Sequence, residues 1–457
     1  MRGIRVISTN TVLAANYHKH NSDEFQTIHL TPWDLQLLLV DPIQKGLLFQ
    51  KPPKATPSLS QPNEIENSLI PHLKSSLSRT LDFFPPLAGR LASIEHANDN
   101  TTSFLIDCNN AGALFVYAKA DEVSISDIVD PLCHPRIIHS FFTLNGVRNF
   151  QGTTKPLLGV QVTELIDGVF IGCTINHTVV DGSSFWHFFN SWSEISRGFD
   201  NITKPPVLHR WFPEGTQFPI RIPFSDANHN VDNTKFSTPK QSMGERVFHF
   251  SKEYVKKLKS KANAEIGTDK ISSLQAVLAH LWRSIIRYDR HLDCNKHNSN
   301  YRLLIGARSR LNPPLPETYF GNAVQAGTVT VKVKDLLGLG LGYVAWEMNK
   351  MVALFNEEKL IKNFLVGWVE KPKLLTEDNM AANAFVTSSS PRFDVYGNDF
   401  GWGKPICVRS GAGNKSHGKI TVFRGVEDGS IDIEVCLLPE TLDAMANDLE
   451  LMKFVSE

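Results

Sequence analysis

An α/β protein built in two halves is what the sequence predicts, on three observations. The chain has 457 residues, more than one hydrophobic core usually organises. A proline-rich stretch with little apolar periodicity interrupts it over residues 201–240, which reads as an extended crossover. Helix-period and strand-period segments are interspersed on both sides of that stretch. The expected division is therefore a domain over 1–200, a linker over 201–240 and a domain over 241–457.

From the amino end, Leu69, Leu73, Leu77 and Leu81 keep a four-residue rhythm that predicts a core helix over 69–83, stopped by Pro85-Pro86. Residues 157–165 and 169–175 predict two strands joined at Asp167-Gly168, a pair that tolerates the positive φ of hairpin turns. His177-Thr178-Val179-Val180-Asp181-Gly182 comes next, and Ser183 or Ser184 is the expected cap of a helix carrying Phe185, Phe188, Phe189, Trp192 and Ile195. His177 thus sits in a strand-to-helix turn. Beyond the crossover, Leu274, Val277, Leu278, Leu281, Trp282 and Ile285 mark a helix over 273–287. Residues 324–333, 420–423 and 431–437 read as strands, and 442–454 as one terminal helix. The stretch 387–391, running into the glycine-rich 399–413, reads as a structured functional loop.

Composition narrows the function. With 42% hydrophobic and 21% charged residues, the chain buries enough apolar surface to offset ordering entropy, which excludes global disorder. Lys plus Arg and Asp plus Glu each total 47, so no basic excess is present to neutralise phosphates, and no nucleic-acid partner is expected. Neither a secretory apolar run nor a membrane-length one is found, so a soluble cytoplasmic protein with no membrane partner is expected. The six cysteines are scattered without a CxxC pair, as expected of reduced structural thiols.

His177 is the sharpest candidate for chemistry, because a histidine ending a buried strand can hold an unprotonated nitrogen against a substrate proton near neutral pH. Asp181 either orients it, as in a Ser-His-Asp triad, or turns away to anchor the loop through an arginine; spacing alone does not choose. A serine hydrolase lacks its G-x-S-x-G elbow here, and zinc lacks H-E-x-x-H or a Cys/His cluster, so no metal is expected. Gly413-Asn414-Lys415-Ser416-His417-Gly418-Lys419-Ile420 falls one residue short of a phosphate loop, and an apolar β-rich segment follows where a helix is required. Asp399-Phe400-Gly401-Trp402-Gly403 reads equally well as a tight turn with two packed aromatics.

The His177–Gly182 run, followed far downstream by the Asp399–Gly403 run, resembles the two signature motifs of the plant BAHD acyl-CoA-dependent acyltransferases. Supporting pieces span the chain: Pro86-Leu87-Ala88-Gly89-Arg90-Leu91, Ser273-Leu274-Gln275-Ala276, Arg308-Ser309-Arg310-Leu311-Asn312-Pro313 and Tyr319-Phe320-Gly321-Asn322. The resemblance implies a two-domain, chloramphenicol-acetyltransferase-like fold, each domain a mixed sheet with helices, and a channel between them. It implies that the segment near 397–425 packs on the first domain. Acyl-CoA is then the co-substrate, with no bound cofactor, a small-molecule acceptor meets it at His177, and the enzyme works as a monomer. By motif position Asp181 pairs with Arg308. Gly182, Asp399, Gly401 and Gly403 are structural near the site, Trp402 lies nearer the reaction centre, and Ser272 and Ser273 touch CoA. The Trp402 indole or backbone N–H groups near Gly182 are the candidate oxyanion donors.

One departure from the family pattern is Thr387-Ser388-Ser389-Ser390-Pro391-Arg392, where many members carry Thr-Ser-Trp; Arg392 is accordingly placed at the acceptor pocket. Arg424 stands where an uncharged residue is expected, and a guanidinium facing the acyl pocket forks a carboxylate. With the resemblance to strychnos-type alkaloid acyltransferases, this makes malonyl-CoA the expected donor and an indole alkaloid nitrogen the expected acceptor. The alternatives are an acetyl-CoA-dependent O-acyltransferase, or a lyase or ligand-binding protein on the same scaffold.

Overall fold

Alternating apolar residues collect into two six-stranded mixed sheets and a three-stranded antiparallel one. The computed structural model describes residues 3–16, 26–51, 64–130, 135–224, 243–288, 297–356, 358–376 and 384–456, with the backbone alone at 64–68 and 359. The first sheet runs β1 (Arg5–Val12), β6 (Ala113–Lys119), β7 (Leu158–Glu164), β8 (Gly168–Ile175), β3 (Ile43–Gln50) and β13 (Cys407–Ser410). The second runs β11 (Val324–Lys332), β10 (Asn298–Gly306), β12 (Ala384–Ser388), β14 (Lys419–Arg424), β15 (Ile431–Leu437) and β9 (Gly244–Phe250). The small sheet is β2 (Thr27–His29), β5 (Thr101–Asp107) and β4 (Arg90–His96). β6–β7 pair in parallel, as does β12 with both its neighbours; the other pairs are antiparallel.

β13 comes from late in the chain yet closes the first sheet, setting Cys407 against Leu48 and Ser410 against Lys45. Residues 201–224 of the proline-rich stretch are strapped down, with Ile222 bridging to Thr102 and Val207 to Tyr319. The rest of the expected linker, 225–240, lies outside the described residues, as do Cys133 and Cys294. The four cysteines described, Cys108, Cys173, Cys407 and Cys436, are buried free thiols.

Two apolar cores follow from the patterning. Leu73, Leu77 and Leu81 of the Glu64–Leu81 helix meet Phe185, Phe188, Phe189 and Trp192 of the Gly182–Ser196 helix over the first sheet. The Ser273–Tyr288 and Gly340–Leu354 helices cover the second sheet. Each fully buried Leu or Phe contributes about 1.5–3 kcal/mol relative to exposure. The expected terminal helix is two, Pro439–Ala446 and Leu449–Met452, because Asp448 caps the second by accepting from Glu450 N at 2.9 Å. Likewise Asp181, and neither Ser183 nor Ser184, caps the Gly182–Ser196 helix.

Strand parity decides which residues look into the space between the sheets. In β14, Ile420 and Val422 enter the second core while Phe423 enters the first. In β15, Ile431, Ile433, Val435 and Leu437 enter the second core. Successive side chains point to opposite faces, so Lys419, Thr421, Phe423, Asp432, Glu434 and Cys436 form the face that the second sheet turns toward the first.

Candidate active site

β8 ends at Ile175 and the chain turns through His177 into the Gly182–Ser196 helix. Two asparagines pin that turn. Asn149 Oδ1 accepts from His177 N at 2.8 Å, and Asn322 Nδ2 donates to His177 O at 2.7 Å. The imidazole Nδ1 is 3.0 Å from Val180 O. A carbonyl only accepts, so Nδ1 carries the proton and Nε2 keeps its lone pair. Among the described residues Nε2 has no partner, and the ring is half-buried rather than sealed. Burial lowers the imidazole pKa and the Lys419 charge adds to that, against the opposing pulls of Asp181 and the backbone. At neutral pH the ring is an unprotonated base.

Asp181 turns to Arg308 instead of the imidazole. The guanidinium grips the carboxylate at 2.6 and 2.9 Å, a bidentate geometry. Oδ1 also accepts from Ser184 N at 3.0 Å, and Oδ2 from Ala323 N at 3.1 Å. Burial alone raises the carboxyl pKa, but Arg308 and these bonds outweigh it, and the net shift is downward. Arg308 Nη2 further donates to Tyr319 O and Gly321 O at 3.1 and 2.9 Å, so one ion pair joins the helix start to the 319–323 segment. Gly182 lets Phe393 close over the helix start: a Cβ there would come within 2.9 Å of the ring.

The second motif lies at the other end of the same helix. Asp399 Oδ1 accepts from Gly401 N and Gly403 N at 2.8 and 3.0 Å, coiling the loop around its own carboxylate. The two glycines take φ of 106° and 117°, where a side chain is strained. Arg197 donates to Asp399 O at 2.5 Å, and Ser196 Oγ to Phe400 O at 3.0 Å. Phe400 packs against Trp192, and Trp402 stands 5.8 Å from Phe49. At 1.5 Å per residue this helix of 15 residues separates the two motifs by about 20 Å. The expectations that Trp402 lies near the reaction centre and that Asp399, Gly401 and Gly403 sit near the site are corrected accordingly. The Trp402 Nε1–H is buried without a partner among the described residues.

The other expected site residues have these positions. Arg424 has the parity of Ile420 and Val422, away from the face shared by Lys419 and Phe423, and its guanidinium meets Asp428 at 2.7 Å. Its side chain therefore does not enter the face that the second sheet turns toward the first. Arg392 is exposed, and the residue of its segment that reaches the helix start is Phe393. Ser272 is exposed and caps the Ser273–Tyr288 helix, accepting from Gln275 N at 3.3 Å and donating its own N–H to Gln275 Oε1 at 2.8 Å; Ser273 is the helix's first residue.

Several site residues escaped sequence reasoning. Arg210, from the proline-rich stretch, donates to Val179 O at 2.9 Å and lies 3.5 Å from the fully buried Asp34, whose Oδ1 accepts from Asn322 Nδ2 at 2.8 Å. Asn149 has no motif around it.

Comparison with known proteins shows the family. The profile of the Transferase family matches residues 3–452. An Arabidopsis thaliana protein named as an uncharacterized acetyltransferase is 42% identical over 442 residues, covering 95% of this chain and 96% of its own. The BAHD acyltransferase DCR of Arabidopsis thaliana is 31% identical over 432 residues, covering 93% and 88%. The crystal structure of vinorine synthase superposes with a TM-score of 0.71 over 99% of this chain and 98% of that one, at 21% identity, a likeness of fold. The chain belongs to the Transferase family, the BAHD acyltransferases, and is an acyl-CoA-dependent acyltransferase.

Proposed function

With that membership as premise, we propose that the chain moves a malonyl group from malonyl-CoA to an amine nitrogen of a plant specialised metabolite, an indole alkaloid, as a cytoplasmic monomer. His177 is the general base. The observation that carries the acyl-transfer part of this reading is the free, unprotonated Nε2 of a half-buried ring whose Nδ1–H is held by Val180 O; the donor and acceptor rest on the sequence resemblance, with Arg424 no longer supporting the donor. A second reading, with acetyl-CoA as donor or a hydroxyl as acceptor, is favoured by the relative named as an acetyltransferase.

The chemistry follows from the lone pair. Nε2 removes the proton from the acceptor nitrogen or oxygen as that atom attacks the thioester carbonyl, and the carbonyl π electrons move onto oxygen. When the tetrahedral oxyanion collapses, the C–S bond breaks and the imidazolium returns the proton to the CoA sulfur. No covalent acyl-enzyme forms. General-base help supplies roughly 10²- to 10⁴-fold; alignment of both substrates supplies more. With Trp402 some 20 Å away along the helix, the backbone N–H groups of the first turn at Gly182, at the positive end of the helix dipole, are the donors this reading assigns to the oxyanion.

The test is thiol release and product mass for the purified chain given malonyl-CoA and acetyl-CoA in competition, with an indoline alkaloid and its hydroxylated analogue as acceptors. Malonyl amide is the expected main product. Acetyl esters as the main product transfer the assignment to the second reading, and no thiol release with either donor, while ligand still binds, removes both readings of the donor.

A further inference from the structure

Three lysines meet where the two sheets approach, and acidic partners hold one of them. Lys415 Nζ lies 2.5 Å from Glu245 and 3.4 Å from Glu434. Ser410 of β13 donates its N–H to Glu434 Oε1 at 2.9 Å and its hydroxyl to Oε2, and Glu245 also stands 2.8 Å from His139. Asp432, on the same face, is taken by His249 at 2.6 Å. Lys45 and Lys419 have no hydrogen-bond or ion-pair partner among the described residues, and neither side chain is exposed. Lys45 Nζ rests 4.9 Å from the Phe423 ring centroid. Two carboxylates therefore face three ammonium groups, and the surplus charge falls on Lys45 and Lys419. Lys419 links the cluster to the chemistry, since its charge acts on both Lys45 and His177.

Holding two cations half-buried without counter-charge is costly unless something else neutralises them. Burial pushes Lys45 down to about 7 and Lys419 down to about 8, with Lys415 pushing both the same way and Glu434 pulling Lys45 back up. A bound anion reverses that cost. The run 413–420 that fails as a phosphate loop thus places its two lysines differently: Lys415 ties the sheets together and Lys419 is left free.

We propose that Lys45 and Lys419 form an anion subsite within electrostatic reach of His177, which selects a substrate carrying a carboxylate. Each ammonium group can donate to an anionic oxygen, and the Phe423 ring, 4.9 Å from Lys45 Nζ, supplies an apolar wall for the carbon chain. The carboxylate belongs either to the acyl group of the donor or to the acceptor. The inference rests on the acyl-transfer reading and names the substrate class for that same site.

Titration calorimetry on the full chain separates the two sources. Malonyl-CoA against acetyl-CoA reads a donor carboxylate; 4-hydroxybenzoate against 4-hydroxybenzamide, with CoA saturating, reads an acceptor one. In at least one pair the acid is expected to bind roughly tenfold tighter than its neutral partner, the scale of one charge-assisted hydrogen bond. Lys45→Met and Lys419→Met each remove most of that margin without weakening the neutral ligand, and Lys419→Arg retains it. The margin narrows as pH rises from about 7 to beyond about 8, where Lys45 and then Lys419 give up their protons. Equal binding within both pairs, or a margin that survives the double methionine variant, overturns the subsite. His177→Ala keeps the margin while losing turnover, so failure of the subsite is distinguishable from failure of the acyl-transfer reading.

Discussion

The two ends of the Gly182–Ser196 helix carry the two sequence motifs, and they are built on opposite plans. At the amino end a reactive atom is left open: His177 Nε2 has no partner among the described residues, while everything behind it is bonded. At the carboxyl end the motif is turned in on itself, with the Asp399 carboxylate holding Gly401 and Gly403 and its carbonyl held by Arg197. Phe400 is packed between Trp192 and Phe49. A demanding backbone geometry produces as specific a sequence signature as a reaction does. The difference shows only in which polar atoms lack partners and face open space.

The largest effect that sharpens this contrast is expected from His177→Ala. Thiol release falls by roughly 10²- to 10⁴-fold with an unchanged thermal midpoint, whereas Asp399→Ala lowers the midpoint and leaves the turnover of the folded fraction nearly intact. Equal losses of turnover, with both midpoints unchanged, erase the distinction between the ends.

Arg308→Ala is expected to cost about 3–5 kcal/mol in urea unfolding at neutral pH, because it strands the Asp181 carboxylate in the interior. The sign with pH is fixed by the depressed carboxyl of the wild-type protein. The ion pair's stabilisation is full above the usual value of 3.8 and fades as pH falls toward the lowered folded one. In the variant, acidification protonates the stranded group, so the gap between the two proteins narrows as pH drops. A gap independent of pH removes the charge argument at the amino end.

The smallest effect concerns the base alone. The acid limb of the kcat/KM profile is expected below the usual imidazole value of 6.5, since His177 is lowered. Lys419→Met, which removes a neighbouring positive charge, moves that limb to higher pH; an unmoved limb means the two groups are not coupled.

Much of this was legible in the residues. The β7–β8 hairpin, the strand-to-helix turn and the His177–Asp181 spacing follow from local pattern, but the hairpin turns one residue earlier than expected: Leu165 N donates to Gly168 O around Ile166-Asp167, Gly168 already opens β8, and neither Asp167 nor Gly168 takes a positive φ. Local pattern also leaves the direction of Asp181 open, since a loop does not fix side-chain direction. Arg424 was misplaced by one residue of strand: with β14 running to 424, it joins the parity of Ile420 and Val422. Trp402 was misplaced because motif order says nothing of distance along a helix. Lys45 and Lys419 come from strands in different sheets, brought together only by tertiary packing, and no periodicity within a window exposes such a pair.

The late strand that closes the first sheet carries a consequence for how the molecule is made. Gly413 donates to Gln44 across 369 residues of chain, so the edge of β3 stays bare until nearly all of the polypeptide has emerged from the ribosome. Closing so long a loop adds entropy and delay, and a bare edge invites pairing with other chains meanwhile. Cutting the gene at the proline-rich stretch therefore yields no pair of self-sufficient fragments: the leading piece lacks its border, and the trailing piece carries a strand with nowhere to dock.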